Sequence, residues 1–403
     1  MISPSRFSAM LLGGIVAVAW GCTEDAESPT APENSPALAA STAAPLSFRQ
    51  LSAGYRHTCG ITTDNRAYCW GDNFNGGLGD GTTQYRTTPV AVSGGLRFLQ
   101  VSGGLNYTCG VTTDFKAYCW GQNTYGKLGD GSATRRLAPA AVFGTRRFRQ
   151  VDAGLHHTCG VTTAGIGYCW GNNIWGQLGD GSTFNQRQRP VPIAGGLLFL
   201  RVIAGGTHTC GLTRDNQAYC WGDNSSGQIG DGTTTNRWAP RHVALRRTWN
   251  QVGAGALDRM GTGHSCGVTT ENQAYCWGTN EQGQLGNGTT IRSLRPAQVA
   301  GGLQFAGVSA GGDHNCGVAT NHQAYCWGYN YYGQLGNGQR GDHDPSLAPV
   351  AVTGGLSFAA VSAGENHTCG ITTGRRAYCW GGGRVLGNGS FEPSSTPVAV
   401  AAP

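Results

Sequence analysis

Fourteen of the fifteen cysteines fall into pairs ten residues apart: Cys59 with Cys69, Cys109 with Cys119, Cys159 with Cys169, Cys210 with Cys220, Cys266 with Cys276, Cys316 with Cys326, and Cys369 with Cys379. Each pair brackets a segment such as Thr113-Asp114-Phe115-Lys116, where a hairpin turn is expected. Paired cysteines would then oppose each other on antiparallel strands, where Cα atoms lie about 4.5–5.5 Å apart, within disulfide reach. Zinc is the rival chemistry. His57, His157, His208, His264, His314 and His367 each stand two residues before a cysteine, and residues two apart on a strand share a face. A Cys-Cys-His cluster would still lack a fourth ligand. Thiol redox catalysis lacks its C-x-x-C signature. The pairs are therefore read as disulfides, with no metal and no cofactor expected.

The elements that hold these pairs recur with them. The phrase H-T-C-G-V-T-T-x-x-x-A-Y-C-W-G, followed by a loop ending L-G-D-G, occurs seven times around Trp70, Trp120, Trp170, Trp221, Trp277, Trp327 and Trp380. Successive copies are 50, 50, 51, 56, 50 and 53 residues apart, a period that marks solenoids and propellers. Each unit reads as four short strands, exemplified by residues 89–92, 98–104, 107–113 and 117–121, rich in β-branched and aromatic residues and separated by Gly, Asn and Asp turns. Four strands repeated seven times predict an all-β chain, a seven-bladed β-propeller with four-stranded blades. The first unit starts at residues 48–54 without a P-V-A-V of its own, and the chain ends on a spare copy at residues 397–400. The ring is accordingly expected to close by pairing of the N- and C-terminal strands, which leaves no open edge. A histidine that recurs in six units, with Tyr107 in the second, is expected to hydrogen-bond between blades rather than to catalyse.

Composition agrees with many short strands. Glycine is 67 of 403 residues without a G-X-Y period, which excludes collagen, while eleven tryptophans and 39% hydrophobic residues exclude disorder. Residues 1–22 hold Arg6, an apolar stretch from Ala9 to Trp20, and Gly21-Cys22. The stretch is too short to span a bilayer but fits a signal peptide, and its Gly-Cys end resembles the lipobox of bacterial lipoproteins. Lipidation of Cys22 is expected, with ordinary secretion as the alternative. Residues 23–45 are acidic and rich in Pro, Ala and Ser, and read as a flexible linker; residues 46–403 are the propeller. Setting aside Arg6 and the four acids of the linker leaves 27 basic against 18 acidic residues, a surplus diluted over the whole ring. With lysine present only at Lys116 and Lys127, no nucleic-acid partner is expected.

The unit resembles the repeat of the regulator of chromosome condensation family, whose pattern V-x-A-G-x-x-H-S…V-Y-x-W-G-x-N-x-x-G-Q-L-G is nearly reproduced by residues 202–230. The resemblance implies the propeller fold for residues 46–403. It extends to a secreted bacterial type, similar in fold to the β-lactamase inhibitory protein, which blocks an enzyme through its surface loops. Fold alone does not fix function. Nucleotide exchange on a small GTPase is the founding role of the family, and the export signal and cysteine pairs depart from it.

Residues that differ between copies carry the functional reading. With P-V-A-V running up, the A-G-x-x-H and W-G-x-N…L-G-D-G loops share a lower face. All length changes fall there: six extra residues within 256–263, one before Pro190, three around 340–344, and two lost near 382–385. The lower loops also carry Phe74, Tyr85, Arg86, Tyr125, Arg135, Arg136, Trp175, Arg187, Arg237, Trp238, Tyr331 and Tyr332. Loops on a rigid scaffold commonly bind, and Trp, Tyr and Arg dominate interface hot spots. The expected function is a non-enzymatic binding scaffold, exported or anchored at the cell surface and monomeric, that holds a protein partner or an envelope glycan. A glycan-active enzyme needs two placed carboxylates, whereas Asp80, Asp130, Asp180 and Asp231 repeat at one D-G turn and become Asn287, Asn337 and Asn388 in later copies. No catalytic residue is assigned.

Overall fold

In the first repeat, β1 (Phe48–Ala53), β2 (His57–Thr62), β3 (Ala67–Gly71) and β4 (Arg86–Ala91) form one antiparallel sheet in that order. The computed structural model describes residues 45–255, 263–341 and 345–403, and within them the same sheet occurs seven times, with strands numbered β1 to β28 along the chain. The chain is thus a seven-bladed all-β propeller. The signal peptide, Cys22, nearly all of the linker, and most of the insertions at 256–263 and 340–344 lie outside the described residues.

The F-x-x-V strand of each unit is innermost. Ala53-Gly54, Gly103-Gly104, Ala153-Gly154, Ala310-Gly311 and Ala363-Gly364 surround a small axial cavity. Glycine is required there because the blades meet backbone to backbone: a Cβ on Gly154 would sit 2.3 Å from the carbonyl oxygen of Gly205. Outermost is the P-V-A-V strand, with proline in all seven copies (Pro89, Pro139, Pro190, Pro240, Pro296, Pro349 and Pro397). Proline cannot donate to a further strand, so each exposed sheet edge resists edge-to-edge pairing.

The core lies between blades. Phe98, Val101 and Trp120 of blade 2 pack on Cys59, Ile61, Cys69 and Leu78 of blade 1, all at most 1% exposed. Each blade repeats the ring contact between its inner-strand aromatic and its tryptophan, as in Phe98–Trp120 at 5.7 Å and Trp249–Trp277 at 5.7 Å. Large aromatics of this kind bury enough apolar surface to dominate a small core. The L-G-D-G glycine reflects the same seam: Gly79 adopts φ +70°, and a Cβ there would lie 2.5 Å from Trp120 Nε1.

All seven disulfides form between the partners that the spacing implied. Cys59 joins Cys69, Cys109 joins Cys119, Cys159 joins Cys169, and Cys210 joins Cys220. Cys266 joins Cys276, Cys316 joins Cys326, and Cys369 joins Cys379. In every blade the two cysteines are directly opposed across the β2–β3 type of hairpin. Their Cα atoms are 4.0–4.1 Å apart, closer than the separation expected from strand pairing alone.

Ring closure differs from the expectation. β28 (Ser394–Ala399) pairs with β27 (Ala377–Gly381) of its own repeat, with Val398 opposite Cys379, and β1 starts its own sheet. No strand is shared between the chain ends, because each unit begins at F-x-x-V and its P-V-A-V returns to the same blade. The ends meet face to face instead. Phe48 N donates to Arg375 O at 2.9 Å, Ala53 N to Ser362 Oγ at 3.0 Å, and Trp70 Nε1 to Val385 O at 2.9 Å.

The recurrent histidines complete this closure. His57 Nε2 bonds Thr108 Oγ1 at 2.7 Å, and the series continues with His157–Thr209, His208–Ser265, His264–Asn315, His314–Thr368 and His367–Thr58, each at 2.7–2.8 Å. Tyr107 Oη bonds Thr158 at 2.9 Å in the second blade, so all seven interfaces carry one link. Thr108 gives its hydroxyl proton to Gly77 O at 2.8 Å and therefore accepts from His57, which fixes the proton on Nε2. Burial pulls these imidazoles down to about 3 or 4, so they are neutral. Blade 2 also differs at Lys127, fully buried, which donates to Leu105 O and Gln122 Oε1 at 2.9 Å and lies over the Tyr107 ring.

Candidate functional site

Antiparallel order places the β1–β2 and β3–β4 types of connection on one side, so the two loop families form a common lower face. The arginines that end the long loops are not presented to a ligand as free groups. Arg86, Arg136, Arg187 and Arg237 sit at the start of the outer strand, and each pairs with the D-G turn aspartate of its own blade: Asp80 at 3.0 Å, Asp130 at 2.8 Å, Asp180 at 3.2 Å and Asp231 at 2.5 Å. Each aspartate also accepts from the backbone N–H two residues on, as Asp80 does from Thr82 at 2.9 Å. Burial would raise the Asp80 carboxyl, but hydrogen bonds from Thr82, Arg86 and Asn73 outweigh it and hold it below the usual carboxylate range.

The aromatic residues separate into those that brace loops and those that gather at one seam. Trp238 packs on the next loop over, where a Cβ on Gly176 would lie 2.8 Å from its ring. Trp175 is half-buried, its backbone N–H donating to Gln177 Oε1 at 2.9 Å. Tyr125, at φ +65°, sets its ring against His156 at 5.8 Å. These three are spread over blades 2 to 4.

At the seam between blades 7 and 1, Phe74, Tyr85 and Tyr332 line one cavity of about 760 Å³ together with Tyr55, Phe391 and Arg384. The short turn Gly383–Val385, in the loop where the seventh repeat is two residues shorter, forms part of its lining. Phe74 is 75% exposed and Phe391 58%. Tyr85 packs tilted against Phe391 with ring centroids 5.4 Å apart, and its buried hydroxyl has no partner among the described residues, so burial raises its pKa. Tyr331 adjoins the cavity through Tyr332 at 4.9 Å, and Arg135 reaches the Phe74 carbonyl from blade 2. Arg56, Asp72 and Glu365 add charge of both signs to the walls. Sequence reasoning missed Arg384, Phe391 and Glu365; the shortened seventh loop was the signal that would have found Arg384 and Phe391, whereas Glu365 lies in the separate loop before His367.

The disulfides take up the sulfurs of all seven pairs, and among the described residues no group of three His, Cys, Asp or Glu could hold a metal ion.

Comparison with known proteins defines the lineage. Five stretches between residues 64 and 371 match the regulator of chromosome condensation (RCC1) repeat model, covering more than half of the chain, and a second model of the same repeat matches residues 48–76, 98–127, 202–228, 305–334 and 358–386. The human probable E3 ubiquitin-protein ligase HERC4 is 30% identical over 104 residues, 26% of this chain and 10% of its own. The Arabidopsis thaliana ultraviolet-B receptor UVR8 is 34% identical over 94 residues, 23% of this chain and 20% of its own. This chain thus spans a fifth or less of those relatives' lengths. Yeast RCC1 (Prp20), solved bound to Kap60, superposes with a TM-score of 0.73 at 17% identity, over 89% of this chain and 85% of that one, which shows a shared fold. With seven disulfide-bearing blades built on one repeat, the chain belongs to the regulator of chromosome condensation repeat family.

Proposed function

We propose that this propeller is a non-enzymatic binding scaffold that works outside the cytoplasm and grips a protein partner in the lower-face cleft between blades 7 and 1. The observation that carries the reading is the aromatic cluster around a preformed cavity, in which Phe74, Tyr332 and Phe391 are exposed and Tyr85 is half-buried, the setting in which interface hot spots occur. Seven buried disulfides fit an oxidising compartment, and the leader with Cys22 fits export with or without a lipid anchor. The repeat-borne aspartates are consumed by turn and arginine contacts, which leaves them poorly suited to acid–base chemistry. The solved yeast relative is itself held by a protein, Kap60, which lends support by analogy. A second reading, an envelope glycan stacked on the exposed Phe74, is favoured by the carboxylates Asp72 and Glu365 that line the same cavity.

The test compares the wild-type chain with Phe74→Ala/Tyr332→Ala in retrieval from cell-envelope extract. The double variant should lose a protein that wild type retains. Equal retrieval by both would remove the cleft from the account. Stacking on a glycan would survive raised salt, whereas contacts led by Arg384 and Arg56 would weaken.

A further inference from the structure

The surplus positive charge lies on one side of the ring. Connections on the upper side carry ten basic and four acidic residues, while the described connections on the lower side carry six and ten. Arg86, Arg136, Arg187 and Arg237, at the lower ends of the outer strands, bring the lower side to balance through their ion pairs with the D-G turn aspartates. No such balance is reached above. Asp64 is shared by Arg66 at 3.0 Å and Arg97 at 3.4 Å, and Asp114 by Lys116 at 2.9 Å and Arg147 at 3.8 Å. Arg246, Arg375 and Arg376 are exposed and have no ion pair among the described residues. The cations run in an arc over the upper turns of blades 7, 1, 2 and 4.

The same face exposes apolar side chains where the other copies have polar ones. The β2–β3 type of turn ends on Arg66, Lys116, Arg376 or a glutamine in six blades, but on Ile166 in blade 3. The residue before the inner strand is Arg, Ser, Thr or Gln in six blades, but Leu198 before that of blade 4. Ile166 and Leu198 are 42% and 44% exposed and bridge to each other. One blade away, Phe115 is 41% exposed at φ +65°, the turn position that Asn65, Asn216 and Asn272 hold in other copies. A bulky residue is disfavoured in that backbone region, so neither burial nor local preference accounts for the ring. The chain also joins the propeller on this face. Thr63 N donates to Ser47 O and Phe48 N to Arg375 O, both at 2.9 Å, so the segment that bears Cys22 is attached among these turns and not on the side of the cleft.

We propose that the upper face docks on an anionic phospholipid surface, with Phe115, Ile166 and Leu198 at headgroup level and the flanking basic residues on lipid phosphates. A basic arc around exposed apolar side chains matches such a surface, whereas a soluble polyanion makes no use of the apolar ones. The cleft then opens away from the membrane, and no cleft residue takes part. The ring closes on itself within residues 45–403, so that piece is tested without leader or lipid. It is sedimented with vesicles of phosphatidylcholine alone and of equimolar phosphatidylcholine and phosphatidylglycerol. Binding is expected only to the second and should weaken as salt is raised. Arg246→Ala/Arg376→Ala should weaken it at least about fivefold. Arg292→Ala/Arg340→Ala removes the same charge from exposed positions on the lower side and should weaken it less than about twofold. Phe115→Asn/Ile166→Gln copies Asn216 and Gln217 of blade 4; it should weaken vesicle binding at least about threefold with no loss of melting temperature. Three results overturn the proposal: no binding to the anionic vesicles, equal losses in the two arginine pairs, or full binding by the apolar pair, which marks a site for a soluble polyanion.

Discussion

Arg86 donates from both Nε and Nη2 to one carboxylate oxygen of Asp80, at 3.1 and 3.0 Å, and the pairing tracks residue identity around the ring. Blades 1 to 4 have aspartate with arginine. In blades 5 to 7 the turn residue is Asn287, Asn337 or Asn388, and the arginine position is Ser293, Ser346 or Ser394, whose hydroxyls all bond their own strand at 2.7 Å. Arg86→Ser leaves the Asp80 side chain, 3% exposed, without its cation and should cost about 1–3 kcal/mol. Adding Asp80→Asn recreates the pair of the later blades and should restore stability to within about 1 kcal/mol. Denaturant unfolding of the four members of the cycle checks it.

Acid should loosen the ring through its histidines. Six imidazoles are held near 3 or 4 by burial, against about 6.5 in the unfolded chain. Their stabilisation is complete above pH 6.5 and is lost as pH falls toward 4, because the unfolded state binds protons first. Each should withdraw about 2 kcal/mol by pH 5. Unfolding free energies at pH 7 and pH 5 would show the fall; His157→Tyr, which copies Tyr107 of blade 2, should make it shallower.

Asp152 has the opposite sign. Burial raises its carboxyl to about 7, although it accepts from Ala204 N at 2.9 Å. The folded protein therefore holds this proton more tightly than the unfolded chain, and stability falls as pH rises from about 4 to 7. Ser52, Ser102, Ser309 and Ser362 occupy the same place and accept the same backbone bond. Asp152→Ser should accordingly raise stability at pH 8 by roughly 1–3 kcal/mol and have little effect at pH 4. Thermal melts at the two pH values decide it.

Gly79→Ala should destabilise by about 2–4 kcal/mol, since the new methyl meets Trp120 and the backbone stays at φ +70°. The comparison is Gly94→Ala, also at positive φ but with nothing within 4 Å, which should cost about 1 kcal/mol. Calorimetric melting of the two variants separates the clash from the backbone strain.

Much of the architecture was legible because each unit states it again. Cys59 and Cys69 are opposed because their spacing leaves a tight hairpin between them, and the same spacing from Cys109 to Cys119 and from Cys316 to Cys326 removes ambiguity. The unit boundary was not legible: a periodic chain reads equally well from P-V-A-V or from F-x-x-V, and only the register of Val398 on Cys379 distinguishes them. The loop arginines were read as surface groups, although the matched change from Asp80 with Arg86 to Asn287 with Ser293 was already in the sequence.

The most direct measurement is alkylation of the unfolded, unreduced chain isolated from its host, followed by mass analysis of the fourteen repeat cysteines. The account predicts that none is modified, since every blade would carry its closed Cys–Cys bridge from an oxidising compartment. Fourteen modified thiols would contradict it.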